Sequence, residues 1–387
     1  MSTGRRYAGR MVMVASAVTV LLGGLAPVLR AQPAPPPPAP PPPLVSPEVL
    51  PDKRVTFRFR APNANEVVLD RESVPRLAMQ KDAQGVWSVT TDPLDPDIYG
   101  YGFVADGVRL VDPSNAAMIP NLLNKSSLLH VPGPGLPWEV GAAARGTLHR
   151  HFYRSRVVGD DRDFYVYTPP GYDPHESKRY PVLYLLHGFS DDASAWTSVG
   201  QAHTILDNLI AAGKAKPMLV VMTLGYGAPE FVSRGFGAFR DVALRQRNYD
   251  RYRDALFTEV MPFIESNYRA SADRESRAIA GLSMGGAESL YVGLNALDRF
   301  ASVGAFSSGG LPEDFAATFP GLDAAANAKL KLLWVACGTD DRLIDLNRKL
   351  HGWLDTKGVK HTMVETPGAH TWMVWRRNLA TLAPLLF

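Results

Sequence analysis

From residue 48 the chain alternates apolar and polar positions in short runs. Val55-Thr56-Phe57-Arg58-Phe59 is the clearest, followed by Glu66–Leu69, Val86–Val89 and Tyr99–Val104. Turn signals separate them at Pro62-Asn63, Gln84-Gly85, Asp95-Pro96 and Asp106-Gly107. Strands this short and evenly spaced predict an all-β sandwich over residues 48–135. Gly133, Pro134, Gly135 and Pro137 punctuate its end. Beyond about residue 148 the period changes. Asp163–Tyr167, Tyr180–Leu186, Met218–Thr223, Arg277–Leu282, Ser302–Phe306 and Leu330–Ala336 are apolar runs too short for helices. Amphipathic helix-length stretches lie between several of them, most clearly Arg251–Tyr268. Strands apolar on both faces that alternate with helices predict an α/β domain over 148–387, with a mainly parallel sheet covered on both sides.

Ahead of these domains, residues 1–31 read as an export signal. Arg5, Arg6 and Arg10 form a positive start, Met11–Val28 is uncharged, and Gly23, Gly24 and Pro27 break the run before Ala31. This predicts a secreted or periplasmic protein, with contact to a membrane only if the segment is retained as an anchor. Residues 32–47 are almost all Pro and Ala and predict an extended, semi-rigid linker. Removing the four arginines of the first 31 residues takes the formal charge from +3 to −1. No clustered basic surface then remains to hold phosphate backbones, which excludes a nucleic-acid partner. The single cysteine, Cys337, permits no internal disulfide and no cysteine-ligated zinc site.

Candidate chemistry lies in Gly281-Leu282-Ser283-Met284-Gly285-Gly286, directly after the apolar run Arg277–Ala280 and before the helix-like Ala287–Leu294. Strand, tight turn and helix are the context of a nucleophile elbow, in which Ser283 stands clear at the carboxyl end of the sheet. In that arrangement an acid and then a histidine follow in sequence. His351 falls in a helix-like run and His361 opens the last apparent strand, His361–Glu365. Only His370, in the loop after that strand, can reach a nucleophile at the sheet's carboxyl edge. The strand before it ends in Cys337-Gly338-Thr339-Asp340-Asp341, where either Asp340 or Asp341 could hold the imidazole. Spacing leaves both open. The oxyanion-binding N–H groups are expected from Met284 and from Phe189, in His187-Gly188-Phe189-Ser190. His187 precedes Ser283 by most of the sheet and reads as structural.

Taken together, Leu185-Leu186-His187-Gly188, Tyr268, Ala278–Gly286, Ala336–Asp341 and His370 with Trp375 resemble the putative esterase family of α/β-hydrolases. That family includes feruloyl, acetyl-xylan and enterochelin esterases, and the feruloyl-esterase branch is the nearest in pattern over about 148–387. The resemblance implies an α/β-hydrolase fold without a large lid and assigns the acid to Asp341. It also implies acyl transfer through Ser283, with no cofactor and no metal. The β-module resembles the early-set immunoglobulin-like modules found ahead of such domains. Its Trp87, Tyr99 and Tyr101 could stack on sugars, but a sandwich buries such rings.

The implied partner is an ester substrate, feruloylated or acetylated polysaccharide being the first choice and a siderophore lactone the rival. Trp196, Trp372 and Asp191 are the substrate-binding candidates, with Asp192 and Arg234–Arg240 as further polar loop contacts. An acyltransferase would use the same triad. A carbohydrate-binding protein on a retired hydrolase scaffold would lack one member of it. Oligomeric state is not legible.

Overall fold

In the computed structural model, residues 43–387 are described. The predicted export signal, and the predicted linker as far as residue 42, lie outside the described residues. The chain is anchored a little before the first predicted strand. Ser46 is buried, its Oγ donating to Asp112 Oδ2 at 2.7 Å and accepting the Arg58 N–H at 3.1 Å.

Strands Val55–Arg60, Val67–Arg71, Val86–Thr90 and Asp97–Ala105 fall on the four predicted runs. They belong to two antiparallel sheets, the first built on Val55–Arg60 with Val86–Thr90. The second is built on Val67–Arg71, Asp97–Ala105 and Ser126–Val131. Ser126–Val131 was not predicted because Ser127 is buried on its inner face, where it accepts the Asp112 N–H at 2.8 Å. One apolar cluster joins the sheets, with Phe57, Phe103, Leu69 and Leu129 at its centre. Trp87, Tyr99 and Tyr101 are part of it. Their polar tips donate to Ala61 O, Asp95 O and Asp112 Oδ2. Buried and hydrogen-bonded, they offer no stacking platform.

The second region is an eight-stranded mixed sheet. Its order is Thr147–Arg154, Asp161–Thr168, Leu219–Thr223, Val182–Leu186, Arg277–Leu282, Ser302–Phe306, Leu332–Gly338 and Thr362–Thr366. The first two strands pair antiparallel with their neighbours and the last six run parallel. Alternate residues of the central strands enter two separate cores. Tyr184, Ile279 and Val303 face one, while Leu183, Leu185 and Ala280 face the other. That is why these strands read as apolar throughout. The predicted helix Arg251–Tyr268 is the end of a longer one running from Val242 to Asn267, with a single π-type turn at Leu256–Val260. Pro262 follows at once. It has no N–H to donate, and the widened turn accommodates that loss.

The two regions are joined by an ion pair. Arg376, on helix Trp372–Leu382, is fully buried and donates to Asp97 Oδ1 and Ile98 O at 2.6 Å and to Val199 O at 3.0 Å. Arg377 reaches the other oxygen of Asp97 at 2.8 Å. Among the described residues no helix is long and apolar enough to cross a membrane.

Candidate active site

Ser283 stands between strand Arg277–Leu282 and helix Met284–Leu294 with φ 51° and ψ −115°, a conformation that a residue with a side chain rarely adopts. Its backbone is held on both sides, the N–H donating to Phe306 O at 2.8 Å and the carbonyl accepting from Gly309 N at 3.0 Å. A side chain at Gly285 would lie 2.4 Å from the His187 carbonyl oxygen, so only glycine lets this turn approach the neighbouring loop. The same close packing fixes Gly188, whose added Cβ would meet Leu282 Cδ1 at 2.6 Å.

His370 Nε2 lies 3.0 Å from Ser283 Oγ, and its Nδ1 lies 2.7 Å from Asp341 Oδ2. A carboxylate only accepts, so Nδ1 carries the proton and the Nε2 lone pair faces the serine. Spacing left Asp340 and Asp341 open, and the geometry separates them. Asp340 is exposed, whereas Asp341 is buried and also accepts the Leu343 N–H at 2.9 Å. Burial acts to raise the Asp341 carboxyl, but His370, the Leu343 N–H and the Ser307 hydroxyl outweigh it and hold it below its usual value. Trp375 packs edge-on against the His370 ring, with centroids 4.8 Å apart, and its indole N–H donates to Ser307 Oγ at 3.1 Å. Cys337 is buried, which pushes its thiol up to about 12 and leaves it unsuited to nucleophilic attack.

Met284 is the first residue of its helix, so its N–H has no intrahelical acceptor. Neither that N–H nor the N–H of Phe189 has a hydrogen-bond partner among the described residues. The Phe189 loop is pinned from the β-module. Leu122 N–H donates to Ser190 O at 2.7 Å, and Asn121 Nδ2 donates to Ser190 Oγ at 2.9 Å and Asp191 Oδ1 at 3.2 Å.

A cleft of about 650 Å³ opens over Ser283 and His370. One wall carries Phe189, Phe236, Trp372 and Trp375, while Arg71, Glu72, Arg109 and Asn121 of the β-module form the other. Sequence reasoning missed this second wall, because residues more than 150 positions before the serine meet it only through the fold.

Of the three substrate-binding candidates, Trp372 and Asp191 line the cleft. Trp196 does not. It is buried behind Trp372, ring centroids 5.1 Å apart, with its indole N–H donating to Leu186 O at 2.8 Å. Asp192 is a turn residue whose carboxylate accepts from Ser194 N and Oγ. From the Arg234–Arg240 stretch it is Phe236, 60% exposed, that lines the cleft, while Arg234 pairs with Asp241 at 2.7 Å. An exposed phenylalanine among arginines was the available signal.

Two buried groups of this loop oppose each other in pH dependence. Burial pushes the His187 imidazole down to about 4, although the Gly188 carbonyl and Asp192 act to raise it. Its Nδ1–H donates to Gly188 O at 2.7 Å, and its Nε2 accepts the Gly225 N–H at 2.9 Å. Unfolded, a histidine binds its proton near pH 6.5. Stability from this group is therefore full above about pH 6.5 and lost as pH falls towards 4, about 3 kcal/mol in all. Burial pushes the Asp191 carboxyl up to about 8, so the folded chain keeps a proton that the unfolded chain releases. That contribution is full below about pH 4 and is lost as pH rises to about 8. Between about pH 4 and 6.5 the two slopes oppose and largely cancel, and from 6.5 to 8 only the Asp191 slope remains. Asp191→Asn is expected to unmask the His187 slope as an unfolding free energy that falls on acidification from pH 6.5 to 4 more steeply than in the wild type. Superimposable urea-unfolding profiles for the two proteins would rule this out.

A sequence profile described as "Putative esterase" matches residues 155–386. A relative named endo-1,4-beta-xylanase/feruloyl esterase, from Xylanibacter ruminicola, is 31% identical over 341 residues, or 86% of this chain. The chain spans only 44% of that relative's length. A ferulic acid esterase from the anaerobic fungus Anaeromyces mucronatus is 25% identical with a TM-score of 0.57, covering 66% of this chain and 96% of the other. The enterobactin esterase of Shigella flexneri is similar in fold alone, at 19% identity and TM-score 0.62 over 86% of this chain and 92% of its own. With the profile running from residue 155 almost to the carboxyl terminus, the chain belongs to this esterase family, whose members have folds of the α/β-hydrolase type.

Proposed function

We propose that the protein is an exported serine carboxylic-ester hydrolase acting on feruloyl or acetyl esters of plant polysaccharide. The observation that carries the chemistry is the continuous hydrogen-bond line from Asp341 through His370 to Ser283 at the floor of an open cleft. In this reading Ser283 Oγ attacks the ester carbonyl as its proton passes to His370 Nε2. The negative oxygen is held by the Phe189 and Met284 N–H groups, each worth about a hundredfold or more in rate. Collapse expels the alcohol, which takes the proton from His370, and leaves an acyl group on Ser283. Water then attacks as its proton passes to His370, and collapse returns that proton to Ser283 Oγ, releasing the acid and the free serine. Asp341 stays ionised and keeps the imidazole in its working tautomer.

The aromatic wall favours a flat acyl group. Phe189 and Phe236 have ring centroids 5.0 Å apart at the cleft, and the relatives' names point the same way. The polar module wall faces the leaving group as this reading requires. Residues 1–31 as signal, 32–47 as linker, 48–135 as an early-set immunoglobulin-like sandwich and 148–387 as catalytic domain complete it. Hydrolysis of methyl ferulate and p-nitrophenyl acetate by the full chain tests the assignment. Ferulate turnover is expected. Acetate turnover alone would move the substrate to acetylated sugars, hydrolysis of a catecholate trilactone alone would favour the siderophore reading, and transfer of the acyl group to added alcohol would identify a transferase.

A further inference from the structure

At the amino end of the sheet's last strand, away from Ser283 at the carboxyl end of a central one, three potential ligands converge. They are His351 and Asp355, one turn apart on helix Ile344–Thr356, and His361, just before strand Thr362–Thr366. One ring nitrogen of each histidine and one Asp355 oxygen lie within 4.8 Å of one another. His351 Nδ1 is 2.6 Å from His361 Nε2, and Asp355 oxygens lie 3.6 Å from His351 Nε2 and 4.0 Å from His361 Nε2.

Donor and acceptor accounting makes this arrangement informative. His361 Nδ1 lies 2.8 Å from the Val359 carbonyl oxygen, which only accepts, so Nδ1 holds the ring's proton and Nε2 presents a lone pair. A backbone carbonyl fixing the distant ring nitrogen in this way is how metal-binding imidazoles are oriented. That lone pair faces the second imidazole and the carboxylate; with no ion present the His351 Nδ1–H donates to it at 2.6 Å, and a metal ion would take the place of that one proton. The His361 side chain is only 3% exposed, so its orientation is set by packing, whereas His351 at 42% and Asp355 at 62% can adjust. Ligand–metal bonds of about 2.0–2.2 Å require the two nitrogens to open slightly and the carboxylate to close in. Both movements are available to exposed side chains.

We propose that His351, Asp355 and His361 form a binding site for one divalent transition-metal ion, with water completing the shell. Two imidazoles and one carboxylate suit Zn²⁺ rather than Ca²⁺ or Mg²⁺, which take oxygen ligands. The site is separate from the esterase chemistry, since the helix axis carries His351 and Asp355 about 12 Å and about 18 Å from Leu343, whose N–H holds Asp341. Its effect is mechanical. An ion here ties the end of the helix that leaves Asp341 to the start of the strand that leads to His370, adding to the Arg348–Glu365 ion pair that already links the two elements.

The test is Zn²⁺ binding to the chelator-treated full chain by equilibrium dialysis and calorimetry, alongside His351→Ala, Asp355→Asn and His370→Ala. One equivalent should bind at micromolar or lower concentration and raise the melting temperature. His351→Ala should abolish both effects, Asp355→Asn should weaken binding about tenfold or more, and His370→Ala should bind as the wild type does. Because His351 is exposed, its replacement leaves the fold intact, and esterase turnover without metal is the control for that. Co²⁺ substitution gives a second readout, a visible d–d band that His351→Ala loses. Binding that survives in His351→Ala, disappears in His370→Ala, or requires Zn²⁺ near millimolar would overturn the proposal.

Discussion

Ser283→Ala is expected to lower ester turnover by about 10⁴- to 10⁶-fold, with the protein still folded. Among the described residues no other group beside His370 is placed to take over the attack. Cys337 is buried with its thiol pushed up to about 12, and Ser307 Oγ receives the Trp375 indole N–H beside Asp341. Stability should change little, because the strained φ of 51° and the backbone bonds to Phe306 and Gly309 do not depend on the hydroxyl. Rates on p-nitrophenyl acetate, together with covalent labelling by a fluorophosphonate in the wild type alone, measure the effect. A variant that retained more than about a tenth of the activity would remove Ser283 from the chemistry.

The second large effect is on stability. Asp97→Ala strips the fully buried Arg376 guanidinium of its counter-charge and leaves it among the carbonyls of Ile98 and Val199. An unpaired buried charge costs about 3–5 kcal/mol, far more than an exposed ion pair. Replacing both partners, as Asp97→Ala with Arg376→Met, should recover most of that loss, since the buried charge is then gone and Arg377, half-exposed, can turn to water. Urea unfolding of the single and double variants reads both terms. A single-variant loss below about 1 kcal/mol would mean that water or the Glu72 carboxylate takes over as partner of the charge. Helix Trp372–Leu382 begins two residues after His370, so the single variant should also lose turnover in the folded protein, and the double variant should regain it.

These two expectations differ in how far the sequence reveals them. His370 follows from chain order and its loop after the last strand, whereas Ser283 and the Met284 N–H follow from local grammar, because an elbow needs a strand, small residues and a helix in immediate succession. Those constraints are written in six adjacent residues. The parallel sheet was legible for a similar reason, since burial on both faces forces runs such as Tyr184-Leu185-Leu186 to be apolar throughout. Asp341 stood halfway. Its neighbour has the same side chain, and only the buried position with its Leu343 and His370 contacts distinguishes the two. Trp196 misled because an aromatic residue near a catalytic loop in sequence may point into the core, a matter of rotamer and packing that no local pattern encodes.

What the sequence determined by itself is thus the α/β plan, the β-rich module ahead of it and the elbow and loop that bring Ser283 and His370 within 3.0 Å of each other. Each is fixed by the period of burial or by the steric demands of a single turn. Only the tertiary structure decided that Asn121 and Glu72 of the module wall the cleft, that Arg376 is sealed against Asp97, and that His351, Asp355 and His361 meet at the far edge. In the first two cases the partners lie 70 to nearly 300 residues apart, and in the third a helix end must fold back against a strand. Such contacts are set by how whole elements pack, and a local pattern carries no record of that.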